Sequence, residues 1–243
     1  MVRGINEEIV HVNGVPKKLI VFLHGYIDTA DYLNKKIAAM VENMNNVAIH
    51  LPQAPVTCEV IEDKRQWYSM HRFDPNDDRK IVPTMEECVA IYDKMASGLD
   101  EANCYLSDYL DQCLNEYQLS DSDLYLCGFS QGAMVALYAS LMREQKIGGC
   151  VCFGGILAAH SYLEKHCRNT PDILLLHGNI DNLVRPEALP FTKKHLEQIG
   201  CKVKTSVLKD TSHCITEEGV KKACEFINRS VSAAGSPTKK LAI

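Results

Sequence analysis

A serine between glycines, an aspartate past one apolar run and a histidine past the next could together perform acyl transfer. Ser130 is the centre of Gly128-Phe129-Ser130-Gln131-Gly132. The pentapeptide means little by itself; its setting carries the reading. Leu124-Tyr125-Leu126-Cys127 before it has the character of a strand. Gln131 to Arg143 after it reads as a helix that is apolar almost all round. A strand–turn–helix of this kind holds a serine on a sharp, strained turn with its hydroxyl exposed. Glycines two before and two after Ser130 let strand and helix approach with no side chain between them. The helix start also offers N–H groups and the positive end of a dipole to a developing oxyanion.

A serine hydroxyl is a weak nucleophile near neutral pH, so it needs a base, and the base needs an orienter. Asp181 follows Leu174-Leu175-Leu176-His177-Gly178-Asn179-Ile180, just past a buried strand. His213 follows the strand candidate Val203 to Leu208 and the loop Asp210-Thr211-Ser212. Both then stand at carboxyl ends of strands, as Ser130 does, and in open α/β sheets ligands bind at that edge. The rivals fit less well. Asp172 precedes its strand, on the wrong edge. His195 lies in a helix. His160 and His166 fall in an irregular region before the strand that leads to Asp181. His177 is inside the strand end and reads as a structural histidine. Asp210 is the second choice for the acid. Cys127 sits within a strand, which argues against a cysteine nucleophile. Cys214, beside His213, reads either as a buried thiol or as a redox group.

A tetrahedral intermediate calls for two N–H donors. Gln131, the residue after the serine, supplies one. The loop after an early strand supplies the other, and Leu19-Ile20-Val21-Phe22-Leu23-His24-Gly25-Tyr26 makes the backbone N–H of Tyr26 the candidate. His24 reads as a brace for that loop.

These residues require strands that end along one edge. Val47 to Leu51, Leu124 to Cys127, Gly149 to Phe153, Ile173 to Leu176 and Val203 to Leu208 are short and nearly continuous in apolar residues. Strands buried on both faces read that way. Ile9 to Val12 and Leu19 to Leu23 flank Asn13-Gly14, a hairpin signal. Tyr92, Met95, Leu99, Ala102, Leu106, Tyr109, Cys113 and Tyr117 advance by threes and fours and predict one long helix, bent at Gly98. Leu189 to Ile199 and Glu217 to Val231 are further helices. Alternating strands and helices predict an α/β fold: a mostly parallel central sheet with helices on both faces, in a single domain over residues 1–230. Residues 53–84 are polar and hold three prolines, as a lid or substrate loop would. Residues 231–243 form a small-residue, basic tail expected to be disordered.

The chain has 243 residues, 46% hydrophobic and 23% charged, with a formal net charge of -5. A mildly acidic surface argues against non-specific nucleic-acid binding. No stretch approaches the roughly 20 apolar residues of a membrane span, and the first ten residues lack the apolar segment of a secretory signal. Eleven cysteines, an odd number, then predict free thiols in a reducing, cytoplasmic compartment. Cys150 and Cys152 would share one face of a strand, within the core. No metal-ligand spacing stands out.

The motifs together resemble the acyl-protein thioesterase and phospholipase/carboxylesterase family of α/β-hydrolases. The matching stretches are Phe22-Leu23-His24-Gly25 with Asp28-Thr29, Leu51-Pro52-Gln53-Ala54-Pro55, Gln66-Trp67-Tyr68, Gly128 to Gly132, His177 to Val184, and Ser212-His213. They follow the family's order from residue 19 to about 228. The resemblance implies a cofactor-free hydrolase acting through Ser130, His213 and Asp181 on carboxylic esters, lysophospholipids or S-acylated proteins, as a monomer or homodimer. It makes Trp67 either an aromatic near the acyl site or a core residue, and it adds Ile27 and Leu183 to the expected substrate-binding set. The chain departs from the family pattern where Ile27-Asp28 replaces Gly-Asp and where Asn179 replaces an acid. Arg72, Asp74, Asp77, Asp78, Arg79 and Lys80 make segment 68–84 more charged than a long acyl tunnel prefers. Short to medium acyl esters are the expected substrates, with S-acyl thioesters or lysophospholipids as the alternative. A non-catalytic binding protein on the same fold is the reading of another class.

Overall fold

The computed structural model describes residues 5 and 7–229. The elements run β1 (Glu8–Asn13), β2 (Lys18–Leu23), α1 (Ala30–Lys36), α2 (Ala38–Asn43), β3 (Val47–Pro52), β4 (Val56–Thr57), β5 (Arg65–Gln66), α3 (Met85–Asp93), α4 (Ala96–Tyr117), β6 (Leu124–Phe129), α5 (Gln131–Met142), β7 (Gly149–Phe153), α6 (His160–His166), β8 (Asp172–Gly178), α7 (Ala188–Gln198), β9 (Lys202–Leu208) and α8 (Glu217–Arg229). Seven strands form one sheet in the order β1-β3-β2-β6-β7-β8-β9. β1 runs antiparallel to β3, and every other neighbouring pair is parallel. This is the α/β-hydrolase arrangement, in one domain.

Period-two alternation divides the core between the two faces of the sheet. Leu19, Val21, Leu23, Leu124, Leu126, Cys150 and Cys152 pack with α3 to α7. Ile20, Phe22, Tyr125, Cys127, Val151 and Phe153 pack with α1, α2 and α8. Cys150 and Cys152 do share a face, with their Sγ atoms 3.7 Å apart. α5 lacks a polar face because it is enclosed: Gln131 to Leu141 are all buried. Leu99, Leu106 and Leu110 of α4 and Leu124 and Leu126 of the sheet belong to the same core cluster as α5.

Two expectations are corrected. β1 and β2 do not pair as a hairpin. β3 lies between them, so β1 takes the outer edge and Gly14, at φ 69°, only turns the chain. β2 is entirely apolar from Leu19 onward and is covered on both faces, which suits a central strand. β1 alternates between half-buried and exposed residues, which suits an edge. The long helix is two. α3 ends at Asp93 and α4 starts at Ala96, while Gly98 lies inside α4. Gly98 serves close packing: a Cβ there would stand 2.7 Å from the Tyr68 ring and 2.8 Å from the Phe73 ring. α3 begins with a capping box in which Thr84 and Glu87 satisfy each other's backbone N–H groups.

Segment 53–84 is partly ordered. β4 and β5 pair as a short ribbon, and Asp78–Lys80 makes a 3-10 turn. Several of its charges form ion pairs. Arg79 and Asp74 are buried against each other at 2.5 Å, Asp77 pairs with Arg79 and Lys80, and exposed Arg72 pairs with Glu101. These pairs give part of the segment's charge a folding role. The tail expected over 231–243 lies outside the described residues, as does the end of the helix expected to reach Val231.

Candidate active site

Ser130 stands between β6 and α5 with φ 55° and ψ -118°. Non-glycine residues in such regions cost roughly 1–3 kcal/mol and persist only where the surroundings impose them. Here the Ser130 N–H donates to Phe153 O at 2.9 Å. The flanking glycines are required by contact. A Cβ on Gly128 would lie 2.2 Å from Gly132 O, and one on Gly132 would lie 2.3 Å from Leu23 O and 2.4 Å from His24 O. Any side chain at either position would push α5 off the sheet.

Asp181 and His213 come together because two loops meet at Gly178. A Cβ on Gly178 would sit 2.1 Å from Thr211 O. Without it, the Ile180 N–H reaches Thr211 O at 3.1 Å and the Asn179 N–H reaches Leu208 O at 3.1 Å. His213 Nδ1 then donates to Asp181 Oδ2 at 2.7 Å. That bond fixes the tautomer and leaves Nε2 free to act as a base. The Phe129 ring, 4.7 Å away between centroids, supports the imidazole. The Ser130 hydroxyl makes no hydrogen bond to His213 in this structure.

The Asp181 carboxylate is fully occupied. Oδ1 accepts the Leu183 and Val184 N–H groups, both at 2.9 Å. Oδ2 takes His213 and lies 3.4 Å from His177 Nε2. Burial alone would raise the Asp181 pKa, but hydrogen bonds from His177 and His213 outweigh it and hold the group well below the usual carboxylate range. His177 also donates from Nε2 to Val184 O at 2.8 Å. It therefore braces the loop that presents the acid. Asp210 is exposed and paired with Lys209, and Asp172, at the start of β8, pairs with Lys146. His195 bonds to Glu164 on α6, and His160 faces Asp93.

The Tyr26 loop is braced as the sequence suggested. His24 is fully buried. Its Nδ1 donates to Gly25 O at 2.8 Å, and its Nε2 accepts the Ala54 N–H at 3.0 Å. Burial drives its pKa down to about 4. Trp67 is fully buried too, and its indole N–H donates to His24 O at 2.9 Å. The core side of its two readings is the one this packing supports. Gln131, expected to give its backbone N–H as the donor after the serine, has a side-chain role that sequence reasoning missed. Its Oε1 accepts the Trp67 N–H at 2.9 Å and its Nε2 donates to Tyr68 O at 2.8 Å. Gln53 was missed as well; it caps α1 by accepting the Ala30 N–H at 2.8 Å.

Ile27 is half-buried at φ 57°. For a β-branched residue this is a strained conformation. A glycine at this position would carry no such strain. Leu183, two residues after Asp181, is 46% exposed. Asp28 is buried at the end of the Tyr26 loop, and burial lifts its pKa to about 6. A small cavity against His213 is lined by Asp28, Tyr32, Leu33, Phe129, Cys214 and Ile215. The wider grooves, between α4 and α5 and between α2 and α8, lie away from Ser130. No helix among the described residues is long and apolar enough to cross a membrane.

Residues 5–231 match the family model described as phospholipase/carboxylesterase. Among relatives, acyl-protein thioesterase 1 of Saccharomyces cerevisiae is 26% identical over 231 residues, covering 89% of this chain and 94% of that protein. Carboxylesterase SOBER1 of Arabidopsis thaliana is 22% identical over 240 residues, covering 93% and 96%. Among solved structures, esterase PE8 superposes with a TM-score of 0.79 at 25% identity, covering 92% of this chain and 97% of that one. With a match spanning nearly all of its length and an α/β-hydrolase sheet to go with it, the chain belongs to the phospholipase/carboxylesterase family of hydrolases.

Proposed function

We propose that this protein is a serine hydrolase that cleaves carboxylic esters of short to medium acyl chain through Ser130, His213 and Asp181. The observation that carries the proposal is the 2.7 Å bond from His213 Nδ1 to Asp181, at the same sheet edge as a serine held at φ 55°. Ser130 Oγ attacks the acyl carbon and His213 Nε2 takes its proton. Asp181 keeps the imidazole tautomer and stabilises the cation that forms. The backbone N–H groups of Tyr26 and Gln131 receive the oxyanion, each worth about 3 kcal/mol in typical cases. The protonated imidazole gives its proton to the leaving alkoxide, an acyl-Ser130 remains, and water activated by His213 releases the acid. No cofactor takes part in these steps.

A second reading is supported by a relative named acyl-protein thioesterase 1 and by the buried Arg79–Asp74 pair, which neutralises charge within segment 53–84. In it the substrate is an S-acylated protein or a lysophospholipid with a longer chain, and Leu183 and Ile27 line the acyl path. A series of p-nitrophenyl esters from two to sixteen carbons separates the two. A kcat/KM peak at two to eight carbons supports the first, and a rise to sixteen supports the second. Loss of all turnover in Ser130→Ala is expected in both.

A further inference from the structure

The loop from His24 to Asp28 is pinned at both ends. At the start, the Ala54 N–H and the Trp67 indole hold His24. At the end, Asp28 O accepts the Arg65 N–H at 3.1 Å, and the Asp28 carboxylate accepts the Thr29 N–H at 2.8 Å. Between the pins lies Ile27 at φ 57°. A β-branched residue there favours relaxation to negative φ, which would rotate the Tyr26–Ile27 peptide plane and, through it, displace the Tyr26 backbone, whose N–H lies in the plane before. Beside Ile27, the Tyr26 side chain is tethered as well. Its hydroxyl donates to Glu59 Oε1 at 3.2 Å. Glu59 lies in the connection between β4 and β5 and gathers two further donors, the His71 N–H at 3.1 Å and the Gln66 side-chain amide.

We infer that the Tyr26 hydroxyl and the Glu59 carboxylate form a clamp that holds the strained Ile27 loop with its N–H groups aimed at the oxyanion, making both side chains positioning residues for the reaction. The inference rests on the proposed Ser130 mechanism. The clamp offsets a cost that this chain incurs by carrying isoleucine where glycine would sit without strain. Neither side chain exchanges a proton with substrate. Both act through the direction of a backbone N–H, so their loss lowers kcat and leaves KM in place.

The test uses the full chain with p-nitrophenyl acetate. Tyr26→Phe removes the hydroxyl and keeps the ring. It is expected to lower kcat about fivefold to tenfold, with KM unchanged within about twofold, the size of one hydrogen bond. Adding Ile27→Gly to Tyr26→Phe is expected to restore most of that kcat, because the loop then rests in its donating form without the clamp. Glu59→Ala is expected to lower kcat at least as far, and Tyr26→Phe to add nothing on top of it. A kcat for Tyr26→Phe within about twofold of wild type would overturn the clamp. So would a loss that Ile27→Gly leaves untouched. Wild-type turnover by Ser130→Ala would instead sink the mechanism on which the clamp rests.

Discussion

The Gln131 side chain holds the Trp67 backbone: its Oε1 accepts the Trp67 N–H at 2.9 Å, across 64 residues of sequence. Trp67 in turn gives its indole N–H to His24 O. The residue that opens α5 beside Ser130 is thereby linked, through one tryptophan, to the loop that carries Tyr26. The two proposed halves of the oxyanion site form one network, so damage to its middle should reach both stability and rate.

Trp67→Phe tests that link. It keeps most of the buried ring and leaves His24 O without its donor. An unsatisfied buried carbonyl costs about 1–3 kcal/mol, and urea unfolding should show a loss of that size. kcat should fall with it. Stability within about 0.5 kcal/mol of wild type would mean that the indole N–H contributes nothing.

Asp181→Asn keeps the shape of the acid but exchanges an acceptor for a donor. The carboxylate now receives His213, His177 and two backbone N–H groups. With the amide, His213 loses the partner that fixes its tautomer, and kcat should drop on the order of 1,000-fold to 10,000-fold. The same change at Asp210, the rival acid, should leave kcat within about twofold. A reversed pattern, measured by steady-state ester hydrolysis, would move the acid to Asp210.

The strand ends and the three candidate catalytic residues were legible because β2, β3, β6, β7 and β8 are apolar on both faces, and loops after such strands fall along one edge. The Asn13-Gly14 turn misled because local turn chemistry says nothing about which strand slides between its arms. The long helical period ran through Lys94 and Met95 because α3 and α4 bury adjoining faces in the same core, so the phase survives the break. α1, α2 and α6 are six or seven residues long, too short for a period to show. The Gln131 staple and the Glu59 clamp left no signal at all, since each depends on a partner fixed only by the tertiary fold.

Gly132→Ala should be far more damaging than an ordinary glycine substitution. The added Cβ would stand 2.3 Å from Leu23 O, which is backbone in the interior strand β2 and cannot step aside. A loss of at least about 3 kcal/mol is expected, from overpacking in a rigid site. Gly200→Ala, whose Cβ would find its nearest neighbour at 3.6 Å, is the control; at φ 97° it should show only the smaller cost of backbone strain. Equal melting temperatures for the two variants would contradict the steric account.

His24 sets a slope of stability against pH. Its folded pKa is about 4 against an ordinary 6.5. The unfolded chain therefore binds the extra proton first, and stability falls as pH drops from about 6.5 towards 4. The slope approaches 1.4 kcal/mol per pH unit, a total on the order of 3 kcal/mol. Asp28, raised to about 6, works the other way: its folded form takes up a proton first, which adds stability as pH falls from 6 towards 4. Comparing wild type with His24→Gln by urea unfolding at pH 7 and pH 5 isolates the histidine. The variant should lose less stability between the two; parallel curves would mean that His24 is not held neutral by burial.

The most direct measurement of the proposed mechanism is fluorophosphonate labelling and p-nitrophenyl acetate turnover in wild type and Ser130→Ala. An activated serine at the β6–α5 turn predicts labelling of the wild type at Ser130, with both labelling and turnover abolished in the variant while its melting temperature stays within a few degrees. A folded wild type that takes no label and turns over no ester, or a Ser130→Ala variant that keeps its turnover, would contradict it.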